Sequence, residues 1–485
     1  MKKLTTALAI ALCACATVCA QSFSEAKALY SKGEYGKAKT AFAKLLRKSP
    51  SSAACNYWHG LACLKTNDLE AAAGSLEKAA KRKYADSQFV LGRVNTIRYD
   101  FDAAVGNFET YAEQLDKDKG SADERARCDL ALRQAKDARM MMLGVERVNV
   151  IDSVVMDKAD FLSIYRLGEG AGSLHSYAGF FGVQRDSADE RVVYETELRN
   201  AIVYSDYHDG GLALYRSSRD GDGWAAGRIM PEEITGGGSQ NYPYLLSDGL
   251  TIYYASDGEG SIGGYDIFVT AYSTASDSYM QPQNVGMPFN SIYNDYMYAI
   301  DEQNNLGWFA SDRYQPEGKV CVYVFVPNDG KVVYDPAGVE PATLVKAATL
   351  VGFHDVQPSA EAVAAGLQRL KDVLASAGQG EERADFVFDI DDTRTYTSVY
   401  DFMSKEAQEL FAKLCRQREA YDGLRAKLDG MRERYHSSSD AQREKMRPSI
   451  IDTERRVEEM RRELERLTVQ VRNAEITKLK TMNAS

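Results

Sequence analysis

Three different spacings of apolar residues divide the chain. From about residue 22 to 143 apolar side chains recur every three to four positions, the pattern of helices that bury one face. Near Val148 this period vanishes. Short apolar runs then alternate with Gly-, Asp- and Asn-rich turns, which predicts closely spaced strands. From Ser404 to about Lys480 a third pattern takes over. Tyr421, Leu424, Leu428, Met431 and Tyr435 step by three and four, and Ile450, Thr453, Val457, Met460, Leu464, Leu467, Val471 and Ala474 resume the seam. Such a heptad among charged residues predicts two coiled-coil helices in 403–480. Ser439 and Gln442 have capping-box spacing for the second, and Pro448 falls in its first turns or breaks it. The expected fold class is therefore multidomain, helical and all-β: a helical array, a sheet region and C-terminal helices.

Within the first region the pattern repeats. Gly33-Glu34-Tyr35, Asn67-Asp68-Leu69 and Tyr99-Asp100-Phe101 are turns whose apolar residues stand at 35, 69 and 101. Each leads to a small residue (Ala38, Ala72, Ala104) and then a large one (Phe42, Leu76, Phe108), while Gly60 and Gly92 recur in the helix before the turn. Helix, turn, helix is one unit, and the small residues let paired helices approach closely. These residues resemble the tetratricopeptide repeat. The resemblance implies an array over 22–145, capped by a helix from Ala122 to about Leu143, whose concave face binds peptides or partner proteins.

A second repeat runs through the sheet region. Ser205-Asp206, Ser256-Asp257 and Ser311-Asp312 each end one strand and precede another, and a further strand stands before each pair. With Asn241 to Gly249, these residues resemble PD40 blades, the WD40-like units of TolB-type propellers. The resemblance implies a β-propeller over 148–400. Stretches at 148–182 and 385–400 are expected to add irregular blades, for four to six in all, five preferred, with a helical insert at about 359–376. The recurring Ser and Asp pairs are read as building the repeat, since short polar side chains in turns hold nearby backbone N–H groups. Tyr207, Tyr265, Tyr293, Tyr296 and Tyr314 stand beside loops and are the candidates for a binding face, because tyrosine offers large contact area with a polar tip.

Composition narrows the function. The net charge of −11 gives no basic footprint for nucleic acid. Of eight Cys, Cys13, Cys15 and Cys19 lie in the first twenty residues, and Cys55, Cys63, Cys128, Cys321 and Cys415 are an odd, scattered set read as buried thiols. Residues 1–20 have the form of a secretory signal: Lys2 and Lys3, an apolar run from Leu4 to Val18, then Val18-Cys19-Ala20. A lipoprotein signal at Leu12-Cys13-Ala14-Cys15 is the alternative. Neither catalytic motifs nor metal-ligand spacings appear, so the expectation is a protein that is not an enzyme and uses no cofactor or metal. Signal, helical repeats and blades in this order are similar to envelope proteins of Bacteroidota, among them PorE-type accessory proteins of type IX secretion. Some of those add an OmpA-like domain, whereas this chain continues into a coiled coil. The resemblance implies a periplasmic or envelope scaffold binding other envelope proteins, with peptidoglycan or glycan contact as a further partner. The heptad seam of 403–480 is expected to close as a helical hairpin within the chain, with a homodimer through the same seam as the alternative. A glycan-binding or glycan-cleaving propeller is the rival function.

Overall fold

The computed structural model describes residues 22–183, 189–221, 223–355, 358–377, 388–391, 394–396, 402–436 and 440–483. The expected signal at 1–20 and Ser439 of the capping box lie outside them. The chain forms two compact units, one reaching to Val373 and the other starting at Leu374.

Three helical hairpins open the first unit: α1 (22–31) with α2 (Tyr35–Lys48), α3 (Ala53–Lys65) with α4 (Leu69–Ala80), and α5 (Ser87–Ile97) with α6 (Phe101–Asp118). Each turn carries a left-handed residue at the same repeat position, Gly33, Asn67 and Tyr99, with φ of 79°, 55° and 59°. The next residue caps the second helix in two of the three. Asp68 and Asp100 accept from the backbone N–H of Ala71 and Ala103, both at 3.2 Å. The glycines act as the repeat pattern requires. A Cβ at Gly60 would lie 2.6 Å from Leu76 Cγ, and one at Gly92 would lie 2.6 Å from Phe108 Cε1. Helix α7 (Ala122–Met142) follows, started by a capping box of Ser121 and Glu124, and buries Cys128, Ala135 and Ala138. Its far end is not a free cap. Ala138, Met141, Met142 and Val145 join Tyr99 and Phe101 in one core with Ile262, Met287, Leu344, Ala347 and Ala348, so array and sheets share buried surface.

The sheet region holds three antiparallel sheets. Strand β1 (Asn149–Asp157) comes first, then β2 (Ser173–Ser176). The short helix α8 (Tyr177–Phe181) leads toward β3 (Val192–Glu195), β4 (Ala201–His208) and β5 (Gly211–Asp220), which form a sheet ordered β2-β3-β4-β5, with β6 (Gly223–Trp224) and β7 (Arg228–Ile229) on β5. After α9 (Glu232–Thr235) come β8 (Gln240–Leu245), β9 (Thr251–Ser256) and β10 (Asp266–Ser273), with β11 (Ser278–Tyr279) and β12 (Gln283–Asn284) on β10. The third sheet is β13 (Asp295–Asp301), β14 (Leu306–Ser311) and β15 (Lys319–Val326), finished by β1, whose Val154 pairs with Val322. β8 packs on β3 to β5, and β13 packs on β8 to β10. Aromatic side chains fill the core between sheets: Phe161, Tyr165, Tyr242, Tyr244, Tyr254, Tyr296 and Trp308 are all buried there.

The expected blade count is corrected on two points. The described residues form three sheets, and 148–182 builds no separate blade. It supplies the outer strand of the third sheet and the edge of the first, because the open edge of β15 needs a backbone partner. The strands expected at 385–400 also do not complete the sheets. β16 (Phe388–Asp391) and β17 (Arg394–Tyr396) pair with each other in the second unit, as described below. Helix α10 (Pro341–Thr349) was not foreseen; its Pro341 sits in the first turn. The expected insert is α11 (Ala360–Ala377). At Gly366 a Cβ would lie 2.6 Å from Val326, so the glycine lets α11 lie flat on the third sheet.

In the second unit, α12 (Lys405–His436) packs along α13 (Asp440–Asn483), which continues through Pro448. The seam is the heptad read from sequence: Leu428, Met431 and Ile450 form one cluster, and Leu464, Leu467 and Val471 meet Phe388, Ile390, Tyr396 and Phe411 in another. Glu475 is fully buried there. It accepts from the Tyr396 hydroxyl at 3.0 Å and from the N–H groups of Met403 (2.7 Å) and Ser404 (2.9 Å), which caps α12 and ties the β-hairpin to α13. Cys55, Cys63, Cys128 and Cys321 are buried free thiols, whereas Cys415 on α12 is exposed, against expectation, because it falls off the seam.

Candidate functional site

A cleft of about 1120 Å³ opens in the first unit. Its walls come from segments far apart in sequence: 157–162 after β1, 189–192 leading into β3, 292–294 leading into β13, and 312–319 between β14 and β15. Asn67, the left-handed turn residue of the second helical hairpin, adds a contribution from the array.

Charge in the cleft is arranged in pairs. Lys158 Nζ donates to Glu190 Oε1 at 2.7 Å, and the Tyr242 hydroxyl donates to Glu190 Oε2 at 3.0 Å. Arg191 is held by Asp189 through Nε (2.9 Å) and Nη2 (3.0 Å), and by Asp206 through Nη1 (2.5 Å). Its guanidinium lies 3.8 Å from the ring centre of Tyr177 and 4.8 Å from that of Tyr207. The hydrogen bonds it donates to Asp189 raise its already high pKa further. Lys319 pairs with Asp157 at 2.9 Å. Asn294 is used fully: its N–H (2.9 Å) and Nδ2 (2.6 Å) reach Asp312, and its Oδ1 accepts from the N–H of Tyr265 at 2.9 Å.

The repeated Asp residues sit at matched places, and two of the three share one kind of partner. Asp257 accepts from the N–H of Ser239 at 2.6 Å and Asp312 from the N–H of Asn294, each fixing the residue before an inner strand. Asp206 does this through the side chain of Arg191. The serines differ more. Ser205 donates to buried Asn241 at 2.5 Å, Ser256 accepts from the N–H of Gly258 at 3.1 Å, and Ser311 accepts from both N–H and Nε of Arg313. In the array, Ala38, Ala72 and Ala104 are fully buried beside the packing glycines.

Of the five tyrosines expected on a binding face, the structure gathers two at the cleft. Tyr293 and Tyr314 line it and meet edge to face at 5.4 Å, with Tyr314 half exposed. Burial pushes the pKa of both hydroxyls up. Tyr207 is 68% exposed and touches the cleft through Arg191. Tyr265 packs on the inter-sheet core against Tyr242. Tyr296 is a correction: it is fully buried, stacked 4.5 Å from Tyr242, because β13 is an inner strand covered on both faces. Sequence reasoning missed Lys158, Glu190, Arg191 and Asn294, since no local pattern marks residues that only long-range strand pairing assembles.

Another polar cluster lies inside the array. His59 Nδ1 is 2.8 Å from Ser75 Oγ and 3.7 Å from Cys63 Sγ. Burial pushes the Cys63 thiol up to about 11 and lowers the pKa of His59, so the thiol stays protonated and is no nucleophile at neutral pH. Among the described residues no group of three His, Cys, Asp or Glu side chains is placed to hold a metal ion, and no helix is long and apolar enough to cross a membrane.

Comparison with known proteins identifies the helical part. Residues 23–88 match the tetratricopeptide repeat family. Among solved structures, the type III secretion translocator chaperone SycD of Yersinia enterocolitica is similar at 16% identity, covering 25% of this chain and 84% of that one, with a TM-score of 0.24. The tetratricopeptide domain of Sgt2 from Aspergillus fumigatus is similar at 23% identity, covering 24% and 76%, with a TM-score of 0.22. No curated protein matches the chain.

Proposed function

We propose that this chain is a non-catalytic scaffold of the cell envelope that binds partner proteins through the face of its helical array and through its sheet region. The observation that carries this is the array itself: three hairpins built by one repeated rule, the first two over residues 23–88 that match the tetratricopeptide repeat family. α3 also touches α5, and α5 touches α7, so these three helices adjoin along the array. Lys27, Lys65 and Arg93 are exposed on α1, α3 and α5.

The signal-like residues 1–20 support export to the periplasm or envelope, and the order of helical repeats and Ser-Asp sheets supports kinship with PD40-type envelope proteins of Bacteroidota. The absence of catalysis is supported by how Asp206, Asp257 and Asp312 are used, each engaged at the start of an inner strand. The test is capture of partners from envelope fractions by the full chain and by a Lys27→Glu, Lys65→Glu, Arg93→Glu variant. Loss of specific partners by the variant is expected. An identical partner set for both would sink the array-binding reading.

A further inference from the structure

We propose that the cleft between the sheets and the array is a second recognition site, built for a lysine- or arginine-bearing peptide segment of a partner protein. It involves different residues from the array face and stands or falls separately.

The choice of ligand follows from what the cleft leaves unused. Its three cations are each matched by a carboxylate: Lys158 by Glu190, Arg191 by Asp189, and Lys319 by Asp157. Three further carboxylates line the cavity without such neutralisation. Among the described residues, Asp312 is held by the neutral groups of Asn294 and has no ion-pair partner. Asp160 and Glu317 are exposed, and among the described residues neither has an ion-pair partner. The surplus is therefore negative, inside a concave site where low-dielectric walls concentrate the field. Beside it stand the rings of Tyr293 and Tyr314, which offer π faces to a cation. Carboxylates and aromatic rings together select a basic side chain.

Size and hydrogen bonding argue in the same direction. A volume of about 1120 Å³ exceeds what one side chain fills and suits a short extended segment. A neutral sugar would hydrogen-bond the surplus carboxylates but leave their charge uncompensated, which a basic side chain does not. An acidic segment would meet the surplus carboxylates as repulsion.

The full chain is titrated, by fluorescence anisotropy, with a labelled short peptide alternating Gly and Arg. Gly-Glu and Gly-Ser peptides of the same length, and a labelled chito-oligosaccharide, are the comparison probes. Binding of the Gly-Arg peptide alone is expected. Asp160→Asn with Glu317→Gln should weaken it roughly tenfold, and Tyr314→Ala should weaken it as well. Glu232→Gln with Glu233→Gln, which removes two exposed charges on α9 outside the cleft, should leave it unchanged. Equal weakening by this control would reduce the binding to general attraction by an acidic chain and overturn the proposal. So would binding of the acidic or neutral peptide with equal affinity, binding of the oligosaccharide only, or no binding of any probe.

Discussion

The helical array and the sheet region are both repeats, yet they differ in what the repeat preserves. In the array, equivalent positions do equivalent work: Gly60 and Gly92 admit Leu76 and Phe108, and Asp68 and Asp100 cap the next helix with the same geometry. In the sheets, equivalent positions keep their place while their partners change in part. Ser205 binds a buried Asn241, whereas Ser256 and Ser311 both accept the N–H two residues on and Ser311 alone adds a buried arginine side chain. The array contacts recur at fixed spacings in each unit, so the sequence must restate the same chemistry each time. In the sheets single copies add partners that the others lack, Asn241 for Ser205 and the Arg313 side chain for Ser311, so a copy can diverge.

The sharpest test of that difference is Arg313, which has no counterpart beside Ser205 or Ser256. It is fully buried, ion-paired to buried Asp295 at 2.6 Å, and donates to the carbonyls of Pro288 (2.9 Å) and Phe289 (2.8 Å). Arg313→Met leaves a buried carboxylate unpaired and two carbonyls without a donor. The expected loss is about 3–5 kcal/mol in denaturant unfolding of the first unit. A loss below about 1 kcal/mol would mean the third sheet tolerates divergence that its contacts say it does not. In the array the largest expected effect is smaller. Gly92→Val puts side-chain atoms into the Phe108 ring, and overpacking of this kind costs about 1–3 kcal/mol, read by the same unfolding curves.

How much was legible follows the same division. The hairpins and their turns could be read from Gly60, Gly92, Asp68 and Asp100, because every partner lies within a few dozen residues. The Ser-Asp spacing likewise located β4, β9 and β14 with their neighbours. What stayed hidden was the pairing of β1 with β15, between Asn149 and Val326, and of β2 with β3, which split an expected blade between two sheets. Tyr296 was misread because an inner strand buries both faces, so alternation carries no sign of which side faces solvent. The cleft was invisible for a related reason: Lys158, Arg191 and Asp312 become neighbours only after the sheets assemble.

Matched substitutions sharpen the contrast at lower amplitude. Asp312→Ala strips the N–H and side chain of Asn294 of their acceptor and should cost about 1–2 kcal/mol. Asp206→Ala strips the Tyr177 hydroxyl and the Tyr207 N–H of their acceptor while Arg191 keeps both bonds to Asp189, and should cost about 0.5–1 kcal/mol. In the array, Asp68→Ala and Asp100→Ala should each cost about 1 kcal/mol. Asp68 also meets Lys39 at 2.6 Å, but a partly exposed pair adds at most about 0.5 kcal/mol to that difference. Thermal or chemical unfolding that found unequal array caps and equal sheet aspartates would reverse the comparison.

The smallest effect has the opposite sign. Gly106 lies on the exposed side of α6, and a Cβ there would meet nothing within 4 Å. It shares the helix with Phe108, so it separates two demands on glycine in the same array: close approach at Gly92, and no packing role at Gly106. Gly106→Ala removes freedom from the unfolded chain at no steric cost and should stabilise the protein by about 0.5–1 kcal/mol. The measurement is the unfolding midpoint at unchanged slope. A destabilised Gly106→Ala would mean that this face of α6 is covered in solution, and the array would then have a contact surface on its second helices as well as its first.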